Sequence, residues 1–125
     1  MLKVYYDSRT GNVRRFVNKL NSKKFQCIPV GDVNDESITP GILITYTTGL
    51  GLVPRTTTTF LQKYCKWISS VSVSGNRNWG DNFGKALDKI VEQYPSIQPG
   101  IKFELQGGGE DLINFLNLHD TENNN

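Results

Sequence analysis

The residues whose chemistry is easiest to read in this sequence form the stretch DSRTGNV at residues 7–13. It follows a short apolar run typical of a buried strand and precedes apolar residues at helical spacing. Ser8 and Thr10 carry hydroxyl groups, and Gly11 lets a ligand approach the backbone closely. Asn12 is suited to capping the helix, whose free N–H groups and positive dipole end would face an anion. The stretch therefore predicts a phosphate-binding loop, with a simple capped turn as the alternative.

Two further loops rich in Gly, Thr, Ser and Asn also follow apolar runs. Residues 47–51 read TTGLG after the apolar run at 42–44, and residues 74–80 read SGNRNWG after alternating Ile, Val and Ser residues. Ligands of open parallel sheets bind beyond the carboxyl ends of the strands, where the strand order reverses. The sequence therefore predicts one ligand site formed by three loops at that edge.

The elements that must position these loops are strands and helices in alternation. Strands are predicted at residues 2–6, 24–30, 42–46, 67–74 and 101–105, and helices at 13–20, 54–64, 83–94 and from 110 onward. Residues 31–41 are predicted to form a surface connection. The third strand is continuously apolar, which is typical of a central strand covered on both faces. The order predicts an α/β protein with a doubly wound parallel sheet and helices on both faces.

Length, composition and charge limit the class of protein. A chain of 125 residues with 37% hydrophobic and 21% charged residues fits one globular domain. The net charge of +2 is too small to indicate nucleic acid or a membrane surface as a partner. No leader pattern and no apolar run near 18 residues occurs, so we expect a cytoplasmic protein. The domain is expected at residues 1–118, followed by a polar tail at 119–125 in which His119 is exposed.

The cysteine residues give no sign of a metal or redox centre. Cys27 and Cys65 lie far apart and form neither a C-x-x-C pair nor part of a metal-ligand cluster, so no metal site is predicted. We expect buried free thiols in a reducing compartment, with a disulfide as the alternative.

Three motifs in this order resemble one family. DSRTGNV resembles the phosphate loop of flavodoxins, and TYTTGLGLVP at residues 45–54 resembles the loop after strand three in the NrdI branch. SGNRNWG resembles that branch's loop after strand four, and the resemblance runs from Val4 through FEL at 103–105. It implies a flavodoxin-like five-stranded sheet of order 2-1-3-4-5, an FMN cofactor and a partnership with class Ib ribonucleotide reductase. Flavodoxin is itself the standard example of ligand binding at the point where the strand order reverses, with FMN where strands one and three meet.

The resemblance also implies which residues hold the cofactor. The first loop would bind the FMN phosphate, and the other two would enclose the isoalloxazine with Trp79 stacking on it. A core position is the alternative for Trp79, and Tyr46 is expected in the core. The implied contacts are Ser8, Arg9, Thr10, Gly11, Asn12, Val13, Thr47, Thr48, Gly49, Leu50, Gly51, Asn76, Arg77, Asn78, Trp79 and Gly80. Many flavodoxins have a hydroxyl residue where Val13 stands, so a backbone N–H must suffice there.

The charge of the flavin loops bears on what the flavin would do. Neither loop contains Asp or Glu, and Arg55 and Arg77 lie at their edges. Such surroundings favour the fully reduced anionic flavin, and the glycines leave little bulk over the ring. We therefore expect the reduced protein to convert dioxygen to superoxide or peroxide. The resemblance implies that this oxidant reaches the dimanganese site of the small reductase subunit, NrdF, to build its tyrosyl radical.

The chain would then supply no catalytic residue of its own, and a flavin reductase or another electron donor would reduce the flavin. The alternatives are an electron-transfer flavodoxin and a flavin-free α/β interaction module. A phosphorylated receiver domain fits poorly, because Tyr46 and Thr47 stand where it needs an Asp. A dinucleotide fingerprint also fits poorly, because Pro54 occupies the place of its last glycine.

Overall fold

The computed structural model of the protein describes residues 1–119. Within them, five parallel strands form one sheet of order β2-β1-β3-β4-β5. The strands are β1 (Leu2–Tyr6), β2 (Phe25–Pro29), β3 (Gly41–Tyr46), β4 (Ile68–Gly75) and β5 (Gln98–Glu104). The α-helices are α1 (Asn12–Val17), α2 (Arg55–Tyr64), α3 (Lys85–Gln93) and α4 (Gly109–His119). The predicted fold class and strand order are confirmed.

Helices cover both faces of the sheet because successive residues of the central strands point to opposite sides. On one face, Tyr5 and Leu43 pack with residues of α2 and α3 such as Phe60 and Ile90. On the other face, Ile44 of the same central strand belongs to a second cluster with residues of α1 and α4. β3 is buried along almost its whole length, as its continuous apolar run at residues 42–44 predicted.

The connection from β2 to β3 differs from the others because it contains no α-helix. It holds one 3-10 turn, Val30–Asp32, and a loop in which the Asn34 side chain accepts hydrogen bonds from the backbone N–H groups of Glu36 and Ser37. The Tyr5 hydroxyl anchors the loop by donating to the Thr39 carbonyl at 2.7 Å. The corner of the sheet beyond the carboxyl ends of β1 and β2 therefore lacks the helix that covers other strands.

Two expectations about the carboxyl-terminal part of the chain are wrong. Leu105 does not belong to the last strand, because β5 ends at Glu104 and Leu105 has a positive φ of 53°. His119 is not exposed: it is the last residue of α4, is only 6% exposed and lies with its ring 4.6 Å from that of Phe115. The two rings are four residues apart and so share the buried face of the helix. Residues 120–125, the rest of the predicted tail, lie outside the described residues.

The cysteine residues are free thiols, as expected, although each is half-buried instead of fully buried. Among residues 1–119, no three His, Cys, Asp or Glu side chains are placed to share a metal ion. In the same range, no helix combines the length and apolar character needed to cross a bilayer.

We expect Cys27 to be alkylated slowly by iodoacetamide in the folded protein. Burial raises the pKa of its thiol above the ordinary value, which leaves less of the reactive thiolate at pH 8. The rate should be on the order of tenfold lower than in the urea-unfolded chain. Mass spectrometry of a Cys65→Ser variant measures this thiol alone. Equal rates in the folded and unfolded chains would contradict the expectation.

Candidate functional site

The first loop forms an open turn between β1 and α1. Gly11 precedes the helix with φ 95° and ψ −7°, a left-handed conformation that favours glycine. The Ser8 hydroxyl oxygen accepts the backbone N–H of Arg14 at 3.2 Å. The sequence predicted that Asn12 caps the helix, and this is wrong. Asn12 is the first helical residue, and its amide donates to the Thr10 hydroxyl at 3.5 Å. Ser8 therefore supplies the side-chain acceptor that was assigned to Asn12.

The backbone of this loop is left open toward solvent. Within residues 1–119, no acceptor is found for the N–H groups of residues 8–13, and α1 has no acidic residue in its first turn. The guanidinium of Arg15 lies beside Gly11 and donates to the Asn12 side-chain oxygen at 3.3 Å. Unpaired N–H groups next to a cation are suited to binding an anion.

The three polar loops converge on one groove at the carboxyl edge of the sheet. The groove has a volume of about 320 Å³ and begins where β1 and β3 lie side by side, the point at which the strand order reverses. We call it the edge groove. Its lining residues are Ser8, Arg9, Thr10, Asn12, Val13, Tyr46, Thr47, Thr48, Ser74, Gly75, Asn76, Trp79 and Leu105.

The structure brings together part of the predicted site. Of the predicted residues in the first loop, all but Gly11 line the groove, joined by Thr47 and Thr48 from the second loop and Asn76 and Trp79 from the third. Trp79 is 41% exposed, so it is not a core residue. The predicted residues that do not line the groove are Gly11, Gly49, Leu50, Gly51, Arg77, Asn78 and Gly80. Contacts between these residues and a cofactor stay predictions.

Local geometry explains why the second loop contributes so little. Backbone hydrogen bonds of 2.9 and 2.8 Å join Thr48 and Leu52 into a tight turn, in which Gly49 and Gly51 have positive φ. Leu50 at the tip of this turn is 83% exposed.

In the third loop, Arg77 is held away from the groove. Its backbone N–H donates to a Glu104 carboxylate oxygen at 3.0 Å, and its guanidinium lies 3.8 Å from the same carboxylate. The guanidinium also lies over the Phe83 ring at 4.5 Å.

The predicted contacts omit four lining residues, Tyr46, Ser74, Gly75 and Leu105, although Ser74 and Gly75 begin the predicted third loop. Tyr46 was expected in the core, but it is half-buried at the end of β3 and faces the groove. Burial raises the pKa of its hydroxyl, and the nearby charge of Asp7 adds to this effect. Ser74 donates a hydrogen bond of 2.5 Å to the Leu105 carbonyl. These four residues lie at the ends of β3, β4 and β5. That position could have identified them from the sequence, since the strand ends form this edge of the sheet.

The charge of the groove is positive. Among the described residues, 1–119, its lining contains Arg9 and no Asp or Glu, as the composition of the loops predicted. The positive charge comes from Arg9 and not from Arg55 or Arg77, neither of which lines the groove. Asp7 is buried behind Ser8, where its carboxylate accepts hydrogen bonds from the Thr56 and Thr57 hydroxyls of α2.

Comparison with known proteins identifies the family. A family model described as NrdI flavodoxin-like matches residues 4–117. A curated protein of Bacillus licheniformis named Protein NrdI is 46% identical over 115 residues, which cover 92% of this chain and 85% of that protein. This chain belongs to the NrdI flavodoxin-like family. The family suggested by the three loop motifs is therefore confirmed.

A solved structure supports the fold of this NrdI family member independently. The structure of a short-chain flavodoxin associated with a PDU bacterial microcompartment is similar with a TM-score of 0.73, covering 96% of this chain and 95% of that one. At 17% identity, this similarity shows a flavodoxin-like fold alone.

The NrdI flavodoxin-like family binds FMN, and the donors of the edge groove suit that cofactor. Ser8, Thr10 and the open N–H groups of the first loop match a phosphate. Trp79 and Tyr46 offer flat aromatic surfaces for a planar ring. The volume lies within the range of small-molecule sites, about 300–1,000 Å³.

Proposed function

We propose that this NrdI protein binds FMN in the edge groove and, once reduced, activates dioxygen for a class Ib ribonucleotide reductase. The superoxide or peroxide is delivered to the dimanganese site of the small subunit, NrdF, for assembly of its tyrosyl radical. The name NrdI of the Bacillus licheniformis relative supports the link to ribonucleotide reductase. Bound FMN supplies the electrons that reduce dioxygen. One observation carries the proposal: among residues 1–119, the lining of the edge groove contains the cation Arg9 and no carboxylate.

The residues of the first loop bind and orient the phosphate. The Ser8 oxygen already accepts an N–H from α1, which leaves its own hydrogen to donate to a phosphate oxygen. The Thr10 hydroxyl is in the same situation, because it accepts from Asn12. The N–H groups around Gly11 complete the set of donors.

The rest of the groove tunes the ring environment. Arg9 stabilises negative charge that accumulates on reduction, and no residue from 1 to 119 places a carboxylate in the lining of the groove to oppose it. The Asp7 carboxylate accepts hydrogen bonds from the Thr56 and Thr57 hydroxyls, so it points toward α2. The chain thus acts by binding and electrostatics, without an acid, base or metal ligand of its own.

The function is tested by reconstituting radical assembly. The FMN-loaded protein is reduced with dithionite without oxygen, mixed with manganese-loaded NrdF and exposed to dioxygen. Electron paramagnetic resonance should detect a tyrosyl radical only when reduced protein, NrdF and dioxygen are all present. Catalase and superoxide dismutase then distinguish peroxide from superoxide as the carrier.

Two outcomes would contradict the proposal. If the reduced protein reduces one-electron acceptors such as cytochrome c but yields no radical with NrdF, it is an electron-transfer flavodoxin. If the purified chain binds no FMN and shows no flavin absorption, it is a flavin-free interaction module.

Replacing Trp79 tests the stacking role. Trp79→Ala should raise the dissociation constant of FMN roughly 2- to 13-fold, because an aromatic pair contributes about 0.5–1.5 kcal/mol. Quenching of flavin fluorescence on binding measures the change. Trp79→Phe should retain most of the affinity, since it keeps a flat ring. Leu118→Ala removes a side chain of similar exposure on α4 and should leave the affinity unchanged. An unchanged dissociation constant in Trp79→Ala would remove this residue from the site.

A further inference from the structure

A second cavity opens at the same edge of the sheet, on the other side of Ser8. It has a volume of about 540 Å³ and lies over the carboxyl ends of β1 and β2, beside α2. It exists because the connection from β2 to β3 has a 3-10 turn where an α-helix would cover this corner. Ser8 is the only residue shared by the linings of the two sites. We call this second site the basic cavity.

Three cations line the basic cavity: Arg14, Arg55 and Lys63. Within residues 1–119, none of these side chains lies within 4.0 Å of a carboxylate oxygen. Among residues 1–119, Asp7 is the only acidic residue in the lining, and one of its carboxylate oxygens accepts hydrogen bonds from the hydroxyls of Thr56 and Thr57 at 2.5 and 2.6 Å. Three cations and one carboxylate leave the described lining with an excess of positive charge.

Two acidic residues, Asp35 and Glu36, lie next to the cavity but do not belong to its lining. Lys63 also borders a smaller depression that contains Asp35 and Glu36. The Asp35 carboxylate accepts the Tyr64 hydroxyl at 2.7 Å, which raises the pKa of Tyr64 and directs the carboxylate to that side chain. Lys63 itself lies 6.0 Å from the centre of the Tyr64 ring.

Part of the remaining wall of the basic cavity is apolar. Pro29, Val33 and Phe60 belong to the lining, and the last two also pack in the hydrophobic core on this side of the sheet. Guanidinium groups match phosphate oxygens in charge and geometry, while an apolar wall suits a flat ring. A ligand that combines several phosphate charges with a planar ring satisfies both features.

We propose that the basic cavity binds a nucleoside diphosphate or triphosphate, separately from the flavin. The phosphates contact Arg14, Arg55 and Lys63, and the base lies against Val33 and Phe60. This site would let the protein sense a nucleotide while its edge groove holds FMN. The proposal does not depend on the delivery of an oxidant to NrdF, so either idea can fail alone.

Isothermal titration calorimetry of the full chain with excess FMN tests the proposal, because the edge groove is then filled. ADP should bind with one site per chain at low salt. Adenosine and pyrophosphate should each bind at least tenfold more weakly, since each lacks one half of the contacts. Arg55→Gln should weaken ADP binding about tenfold or more, as expected for a lost hydrogen bond to a charged group.

Two further variants make the experiment specific. Lys66→Gln removes a positive charge from an exposed residue outside the cavity and should leave ADP binding unchanged. Gly31→Leu introduces bulk into the lining without altering charge, at a position where no atom lies within 4 Å of an added Cβ. It should weaken ADP binding and leave FMN binding intact.

Several results would overturn the proposal. The proposal fails if ADP does not bind in the presence of FMN or if ADP displaces FMN. It also fails if Arg55→Gln and Gly31→Leu both keep the wild-type affinity for ADP. Binding of a polyglutamate peptide in place of ADP, lost in Arg55→Gln, would instead make the cavity a docking site for an acidic protein segment.

Discussion

Phe16→Ala should lower the free energy of unfolding by about 3–5 kcal/mol, the usual cost of truncating a buried phenylalanine. Phe16 is fully buried on α1. Its ring stacks on Phe103 with centroids 4.3 Å apart and meets Phe115 edge-on at 5.4 Å. One residue thus joins α1, β5 and α4, and no neighbour can fill the space without moving an element. Urea unfolding followed by circular dichroism measures the loss.

The expected loss is large compared with the total stability of a small domain, about 5–15 kcal/mol. FMN affinity should fall as well, because α1 carries the first loop. Ile113→Ala is the matched control: it removes an aliphatic side chain that is 58% exposed on α4 and should change stability by no more than about 0.5 kcal/mol. Similar losses in the two variants would show that Phe16 is not the anchor of this core.

Gly75→Ala should disrupt both stability and cofactor binding. A Cβ at this position would lie 2.7 Å from the backbone nitrogen of Gly84 and 3.2 Å from the Phe83 ring. The chain that leads into α3 must therefore move away from β4, at a cost of about 1–3 kcal/mol. Gly75 lines the edge groove, so the movement also displaces the third loop and weakens FMN binding. Thermal unfolding and flavin titration measure the two effects.

Gly109→Ala controls for the loss of a glycine in general. Its φ is not positive, and no atom lies within 4 Å of an added Cβ. This variant should be neutral or more stable by about 0.4–1 kcal/mol, because alanine reduces the freedom of the unfolded chain. If Gly75→Ala behaves in the same way, the close approach of β4 to Gly84 is not a constraint on the site.

Much of the edge groove was predictable because strand ends and polar loops depend on short stretches of neighbouring residues. The apolar run of β3 and the loops that follow β1, β3 and β4 placed Ser8, Thr47 and Asn76 at one edge. The residues whose positions were predicted wrongly are placed by contacts with residues far away in the sequence. Arg77 was expected near the flavin, but the pairing of β4 with β5 brings Glu104 to it. Tyr46 was expected in the core, but the end of β3 opens onto the edge groove.

The sequence by itself determined the alternation of strands and helices, the identity of the three loops and the family, because each depends on neighbouring residues along the chain. Tertiary structure alone decided that His119 is buried, since this depends on how α4 rotates toward the sheet. It alone also placed Arg14, Arg55 and Lys63 around one cavity. These residues lie on two helices far apart in sequence, and only the placement of α1 and α2 on opposite faces of the sheet, beside an uncovered corner, brings their charges together.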